Sequence, residues 1–354
     1  MQPHPGGFLD LKKGGHYGVR VKRWPLLPVL VGFCLLALPF SSPAPLIFRP
    51  GEGWSYEPVG GEGKWRRDRA QDQLEVAQAA FDQGNYRVAT KAARRVVREW
   101  PMSDYAPAAQ YLVGRSYESR KQDEKAFKEY QKLLEKYPKA ANYDEALQRQ
   151  YAIALRYLGG QRFKLWGYVP FLRSMDKTAG MFEKIVRSGP FSELAPHAQL
   201  RVGAARERER EYPQAVRAYD VAADRYFDRP TIASDAVYRA GMAYYKQAKK
   251  SEYDQGAADK AIASFTDFIT LFPKDRRVKQ AQQLIASLKQ EQARGHFEIA
   301  RYYEKNKRWS GAVVYYNEVL LIDPQSTLAE EARRRIEALQ PRTQQATPPP
   351  PAAE

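Results

Sequence analysis

The stretch that decides the fold runs from Ala108 to Pro138 and reads AAQYLVGRSYESRKQDEKAFKEYQKLLEKYP. Its apolar and small residues recur three and four positions apart, which places each set on one face of a helix. The first set is Tyr111, Gly114 and Tyr117, and the second is Ala126, Tyr130, Leu133 and Tyr137. Because Pro138 stops a helix, the stretch predicts two short amphipathic helices that cross closely at Gly114 and Ala126.

The same stretch resembles the tetratricopeptide pattern, in which a small residue, an aromatic, an alanine, an aromatic and a proline mark a helix-turn-helix unit. The matching residues are Gly114, Tyr117, Ala126, Tyr130 and Pro138. The resemblance implies a stack of such units, whose function depends on surfaces instead of on a catalytic centre.

A repeat along the chain can be counted from five prolines that each end an apolar-periodic helix. The positions five and eight residues after each proline are small or apolar, and an alanine lies twelve residues before four of them. The prolines are Pro101, Pro138, Pro190, Pro273 and Pro324, and the alanines are Ala89, Ala126, Ala261 and Ala312. In the turns, Gly84 permits a tight bend, and Tyr86 and Trp309 cover it.

We therefore predict an all-α fold, a right-handed superhelical solenoid of tetratricopeptide-like helix pairs. Six pairs are expected, followed by a closing helix at about 326–339. The pairs span about 68–101, 104–138, 142–190, 193–227, 232–273 and 277–324. The predicted organisation is a leader with a signal peptide or membrane anchor at 1–45, a Pro/Gly-rich arm at 46–65, the solenoid at 66–339, and a disordered Pro-rich tail at 340–354.

The N-terminus predicts export. Lys22 and Arg23 precede Trp24 to Phe40, a run of 17 residues without a charge, which is typical of a signal peptide or a short membrane anchor. Phe33 is bulky where lipoprotein cleavage sites have a small residue, so we expect Cys34 to belong to the leader and not to carry lipid. Cleavage is left open. The expected location is the periplasm, either at the outer membrane or on an inner-membrane anchor.

The chain of 354 residues carries a net charge of +16. No concentrated basic stripe is interleaved with exposed aromatics, so we expect no nucleic acid partner and keep an anionic membrane surface as a further partner. The four histidines have no neighbours at metal-ligand spacing, and neither a phosphate loop nor a nucleophile elbow is present. We accordingly expect no enzyme activity, no cofactor and no metal.

A narrower resemblance lies in prolines followed by Ser and then Ala-x-x-Ala, as in PMSDYAPAAQYLVGRSY and PQSTLAEEARRRIEAL. With QGNYRVATKAARRVVREWP opening the array and FEIARYYEKNKRWSGAVVYYNEVLLIDP closing it, the chain looks like the BamD family from about Arg66 to Leu339. The resemblance implies a non-catalytic scaffold of outer-membrane β-barrel assembly, which binds a BamA-like subunit and unfolded outer-membrane proteins. The similar CpoB-like repeat proteins, which coordinate cell-wall synthesis with envelope constriction, are the alternative.

Binding residues are expected on the first helix of each pair, opposite its packing face. These groove candidates are Gln78, Asp82, Tyr111, Arg115, Glu118, Arg301, Glu304 and Lys305. Two interpretations of Arg115 are left open: it is a solvated arginine, or it holds a peptide's terminal carboxylate with two hydrogen bonds. A second set lies in the long third pair, where the segment 159–175 is expected to be an elaborated loop. Its contact candidates are Trp166, Tyr168 and Phe171.

Overall fold

The structure is a computed structural model that describes residues 46–51, 53–56, 65–165, 169–250 and 255–345. The apolar run at 24–40, with Cys34, lies outside these ranges, and so do Trp166 and Tyr168. Within them, no helix is both long and apolar enough to cross a membrane.

The described part of the chain is built from helices that follow one another in pairs, and the all-α prediction is confirmed. The first three pairs are α1 and α2 (Ala70–Asp82, Tyr86–Glu99), α3 and α4 (Ala106–Ser119, Asp123–Lys136), and α5 and α6 (Tyr143–Leu158, Met175–Ser188). The next three are α7 and α8 (Leu194–Arg208, Tyr212–Arg225), α9 and α10 (Pro230–Lys250, Gln255–Leu271), and α11 and α12 (Val278–Lys305, Trp309–Ile322). A further helix, α13, spans Thr327–Gln345.

Short polar turns start several of these helices. Between α1 and α2, Gly84 has a φ of +75°, a left-handed conformation that glycine adopts without steric cost. The next residue, Asn85, caps α2, because its side chain accepts a hydrogen bond from the Val88 N–H at 3.3 Å. Ser174 caps α6 in the same way, accepting from the Lys177 N–H at 3.2 Å. The side chains of Asn85 and Ser174 thus set where α2 and α6 begin.

In two of the pairs, the helices cross where a glycine faces a tyrosine ring. A Cβ atom on Gly114 would lie 2.4 Å from Tyr130 Cε1, and one on Gly203 would lie 2.3 Å from Tyr219 Cε1. Both rings are fully buried. Four alanines lie twelve residues before the prolines that end the repeats, and they also have no exposed surface. They are Ala89, Ala126, Ala261 and Ala312. Small residues therefore bring the backbones together, and aromatic rings fill the space around them.

Each helix packs against its neighbours in sequence, and first helices of several successive pairs also touch each other. Such contacts join α1 to α3, α5 to α7, α7 to α9, and α11 to α13. The core accordingly follows the chain as a series of local clusters, the arrangement expected when every pair buries its apolar face against the next one.

The Pro/Gly-rich arm differs from its prediction, because no strand periodicity was expected there. The structure has a short two-stranded sheet, β1 (Leu46–Arg49) and β2 (Gly53–Tyr56). Gly51 and Gly53 have φ values of +79° and +77°, which allow the tight turn between the strands. The rings of Phe48 and Trp54 lie 5.3 Å apart across it. The Asp104 N–H donates to the Gly51 carbonyl at 2.7 Å, which attaches this turn to the start of the second pair.

The segment 159–175, expected to be an elaborated loop, contains two short strands. Its strands, β3 (Phe163–Leu165) and β4 (Val169–Leu172), pair antiparallel. Phe163 is buried and its ring stacks on Tyr157 at 4.2 Å, while the Lys164 N–H donates to the Glu124 carboxylate at 2.7 Å. One aromatic contact and one hydrogen bond therefore fix the first strand against α4 and α5.

The closing helix is longer than predicted, because α13 continues through Pro341 to Gln345 although disorder was expected from Gln340. Proline removes one hydrogen bond from a helix interior. Here the buried Leu339 and the Arg342 guanidinium, 5.0 Å from the Trp309 ring, hold the helix against α12. Tertiary contacts offset the local effect of the proline.

Candidate protein-binding groove

The first helices of the N-terminal pairs meet around Arg115. Its guanidinium lies 5.4 Å from the Phe81 ring on α1 and 5.8 Å from the Tyr111 ring on α3. It is also 3.8 Å from the Glu145 carboxylate on α5. About a third of the Arg115 side chain is exposed. Arg115 therefore connects three successive first helices and still presents donors to solvent.

Arg149 on α5 occupies the centre of the neighbouring polar network. It donates to the Tyr111 hydroxyl at 2.8 Å and to Glu145 at 2.9 Å, and its Nη1 lies 3.4 Å from Glu118. Burial alone would lower the pKa of Arg149, but the hydrogen bonds with Tyr111 and Glu145 outweigh it and raise that pKa. A hydrogen bond from Tyr111, together with Arg149, lowers the pKa of Glu145. The network consequently keeps its charges at neutral pH.

A glutamate, a tyrosine and a cation form the same unit in three helix pairs. The tyrosine hydroxyl on the second helix donates to a glutamate twelve residues earlier on the first helix, at 2.8 to 2.9 Å. A cation on the next first helix completes the unit. The units are Glu118, Tyr130 and Arg149; Glu207, Tyr219 and Lys246; and Glu304, Tyr316 and Arg335. The first two units join one pair to the following one, and the third joins the last pair to α13.

The groove candidates of the first and last pairs differ in whether their side chains are bonded within the chain or exposed to solvent. The carboxylates of Glu118 and Glu304 are engaged within the chain, and Tyr111 is only 8% exposed, so these three side chains hold the wall of the groove together. Gln78 and Asp82 are exposed on α1. With Arg115, they are the groove candidates of the first two pairs whose side chains reach solvent.

The remaining candidates lie at the other end of the array. Arg301, Glu304 and Lys305 line a cleft of about 580 Å³ between α11 and α13. Arg301 is 3.7 Å from Glu298, and Lys305 is exposed. Further lining residues are Tyr302, which is 66% exposed, Trp309, Arg335 and Arg342. This cleft combines cations with aromatic surface, a composition suited to an acidic or aromatic peptide segment.

The loop candidates are placed only in part. Trp166 and Tyr168 lie outside the described residues, and Phe171 belongs to β4 with its side chain outside the description. The aromatic residue that the sequence analysis missed is Phe163, whose ring is packed on Tyr157. It also missed the glutamate–tyrosine units. A Glu twelve residues before a Tyr occurs six times in the sequence, so the spacing alone does not identify the three pairs that are bonded in the structure.

Comparison with known families divides the chain into two matched parts. Residues 171–346, just under half of the chain, match a family model described as an outer membrane lipoprotein. Residues 74–141, which contain most of the first two helix pairs, match a tetratricopeptide repeat model. The tetratricopeptide model thus matches the N-terminal part of the array, and the outer membrane lipoprotein model matches its C-terminal part.

A curated relative agrees with the first match. The chain is 25% identical over 145 residues to the outer membrane protein assembly factor BamD of Caulobacter vibrioides. The matched region covers 41% of this chain and 47% of that protein, so the chain spans about half the length of the relative.

Solved structures show a weak similarity to the chain. The C-terminal part of a TPR repeat-containing protein from Cytophaga hutchinsonii is 16% identical, with a TM-score of 0.33 and coverage of 75% of this chain and 88% of that one. MamA from Desulfovibrio magneticus is 15% identical, with a TM-score of 0.31 and coverage of 59% and 98%.

Proposed function

We propose that this BamD-like tetratricopeptide-repeat protein is a non-catalytic scaffold of outer-membrane β-barrel protein assembly. It holds a BamA-like partner subunit and extended segments of unfolded outer-membrane proteins. The observation that carries the proposal is the match of residues 171–346 to the outer membrane lipoprotein model, on an array whose first helices contact each other.

The side chains of the first two pairs support a role in holding an extended peptide. Arg115 keeps exposed donors beside the Phe81 ring, and Gln78 and Asp82 offer further polar contacts. Because Arg149 contacts both Tyr111 and Glu118, the wall behind Arg115 is already formed before a ligand arrives. A preformed wall lowers the entropy that binding costs.

We place the protein in the periplasm at the outer membrane, as its BamD-like character suggests. The inner-membrane anchor stays a prediction, because the apolar run at 24–40 lies outside the described residues. The cell-wall adaptor function is not favoured, because the matched family model and the curated relative both concern the outer membrane.

The peptide-binding part is tested by replacing Arg115 with alanine. We expect binding of a peptide with the C-terminal sequence of an outer-membrane barrel protein to weaken about tenfold at low salt, because a charge-assisted hydrogen-bond pair to its carboxylate is lost. Fluorescence anisotropy measures the affinity. Arg98→Ala, which removes an exposed arginine from α2, is the matched control. Equal affinity of Arg115→Ala and the wild type would remove Arg115 from the binding site.

The partner is tested by affinity purification from envelope fractions of the native organism. We expect the tagged chain to recover a BamA-like barrel-assembly subunit. Recovery of cell-wall synthesis proteins without that subunit would contradict the assembly function and support the adaptor alternative.

A further inference from the structure

A second cleft, separate from the groove candidates, lies in the C-terminal half of the array. It encloses about 550 Å³ between α7, α9 and the turn that precedes α11. Its charged lining consists of four arginines and two aspartates: Arg201, Arg239, Arg276, Arg277, Asp235 and Asp275. None of these residues was singled out by the sequence, because the set extends from Arg201 to Arg277 and comes together only when three repeats stack.

Two of the arginines are fixed by the aspartates. Arg277 donates to both oxygens of Asp275, at 3.0 and 2.8 Å, and to Asp235 at 2.8 Å. Its guanidinium also lies 4.7 Å from the Tyr238 ring. Arg239 donates to the other Asp235 oxygen at 2.8 Å. These bonds satisfy both carboxylates and make one side of the cleft rigid.

The other two arginines have no such partners. Among the described residues, neither Arg201 on α7 nor Arg276 in the turn before α11 makes a hydrogen bond or an ion pair with a carboxylate. Each guanidinium carries five N–H donors in a planar fork. The cleft therefore presents two sets of unused, charged donors from two different elements.

The net charge of the side chains that line the cleft favours a doubly charged anion as the ligand. Four guanidinium groups against two carboxylates leave a net charge of +2, with His197 counted as neutral. A single carboxylate would compensate half of this charge, whereas a doubly charged phosphate would compensate all of it. The exposed Thr231 lines the same cleft and adds a hydroxyl donor. Arginine forks and hydroxyls are the groups that proteins use to bind phosphate.

We propose that this cleft is a binding site for a phosphate monoester dianion, held by Arg201 and Arg276. Arg239 and Arg277, fixed by Asp235 and Asp275, form the positively charged wall behind it. The site does not depend on the groove or on the proposed assembly function, since no groove candidate lines it.

The test measures binding of inorganic phosphate by isothermal titration calorimetry at pH 8, where phosphate monoesters are doubly charged. We expect the double variant R201Q/R276Q to bind phosphate about tenfold more weakly than the wild type, because the charge-assisted hydrogen bonds are lost. The control is R217Q/R294Q, which removes the same charge from exposed arginines outside the cleft. Circular dichroism establishes that both variants keep their helices.

Three results would overturn the proposal. They are no phosphate binding by the wild type, equal weakening in both double variants, and preference for an acidic peptide over phosphate. The variant R276K supplies a second readout, because it keeps the charge and loses the fork. Full phosphate affinity in R276K would contradict bidentate binding of phosphate by Arg276.

The source of the phosphate is distinguished by two further probes. Glycerol 3-phosphate tests a soluble ester, and phosphatidylcholine vesicles with phosphatidic acid test a lipid headgroup. Vesicles with phosphatidylglycerol carry a phosphodiester as a charge control. Cleft-dependent binding of either monoester supports the site, and stronger binding to phosphatidylglycerol than to phosphatidic acid contradicts it.

Discussion

Single residues set how closely the helices of a pair approach. Gly114 lies against the fully buried ring of Tyr130, whose hydroxyl donates to Glu118 at 2.9 Å. The hydrogen bond and the surrounding core leave the ring no free space to move into. The same relation joins Gly203, Tyr219 and Glu207. A side chain added at the glycine would therefore displace the tyrosine ring and, with it, the hydrogen bond from the tyrosine hydroxyl to the glutamate.

Replacing Gly114 with alanine is expected to destabilise the protein by about 1–3 kcal/mol, because the added methyl group overlaps the Tyr130 ring. Thermal unfolding followed by circular dichroism measures the effect. Gly180→Ala is the matched control, since nothing lies within 4 Å of a Cβ at that helical position. It should stabilise by about 0.5–1 kcal/mol, because alanine is the better helix former. Equal effects of the two substitutions would contradict the close crossing.

Asp275 is expected to contribute to the pH dependence of stability. Hydrogen bonds from Arg277 lower its pKa from 3.8 to about 2. Its contribution is therefore complete above about pH 4 and is lost as the pH falls towards 2. The melting temperature of Asp275→Asn should be lower than that of the wild type at pH 5, and the difference should shrink on acidification. Asp82→Asn, at an exposed position, is the control. A difference that stays constant between pH 5 and pH 2 would contradict the assignment.

At the scale of the element, each second helix buries a narrow stripe between its own partner and the next pair. On α4 this stripe contains Ala126, Tyr130 and Leu133, all without exposed surface, whereas Lys125 and Lys128 on the same helix are exposed. Alanine occupies the position where the backbones are closest. The helix therefore tolerates change on one side and very little on the other.

Replacing Ala126 with leucine is expected to cost about 1–3 kcal/mol, because the added side chain overpacks a position without free volume. Lys128→Leu places the same side chain on the exposed face of α4 and should change stability by no more than about 0.5 kcal/mol. Urea unfolding of both variants supplies the comparison. A midpoint unchanged by Ala126→Leu would show that the assigned packing face is wrong.

At the scale of the whole molecule, stability is passed from pair to pair, since each helix packs mainly on its sequence neighbours. The glutamate–tyrosine units add polar bridges at three of these junctions. At the C-terminal end, α13 covers the core of the last pair with Ala332 and Leu339, which pack with Ala312, Tyr316 and Val319. Such an array behaves as a chain of coupled units.

Deleting residues 326–354, which removes α13, should therefore weaken the array at that end. We expect hydrogen exchange to become about tenfold faster or more in α12, because its buried face is exposed, with little change in α1 to α4. Mass spectrometry of exchanged peptides from the two proteins measures this. An equal loss of protection along the whole array would contradict nearest-neighbour coupling.

The fold followed from local features of the sequence. Helical periodicity, the prolines and the alanines twelve residues before them report on contacts between neighbours, so Ala89, Ala126, Ala261 and Ala312 could be identified without coordinates. The two hairpins were not predicted, because they depend on contacts with residues far away in the sequence. The strands around Phe163 are three to four residues long, and they are held by Tyr157 and Glu124 on other elements, contacts that periodicity does not report.

By itself, the sequence determined an all-α array of repeated helix pairs and the small residues at its closest crossings, because both depend on residues near each other in the chain. Only the tertiary structure decided which polar side chains form bonds within the chain and which remain available to bind a ligand. Glu118 is bonded to Tyr130 and Arg149, while Arg201 and Arg276 line one cleft without carboxylate partners among the described residues. These relations arise from stacking, which brings together side chains that no local pattern connects.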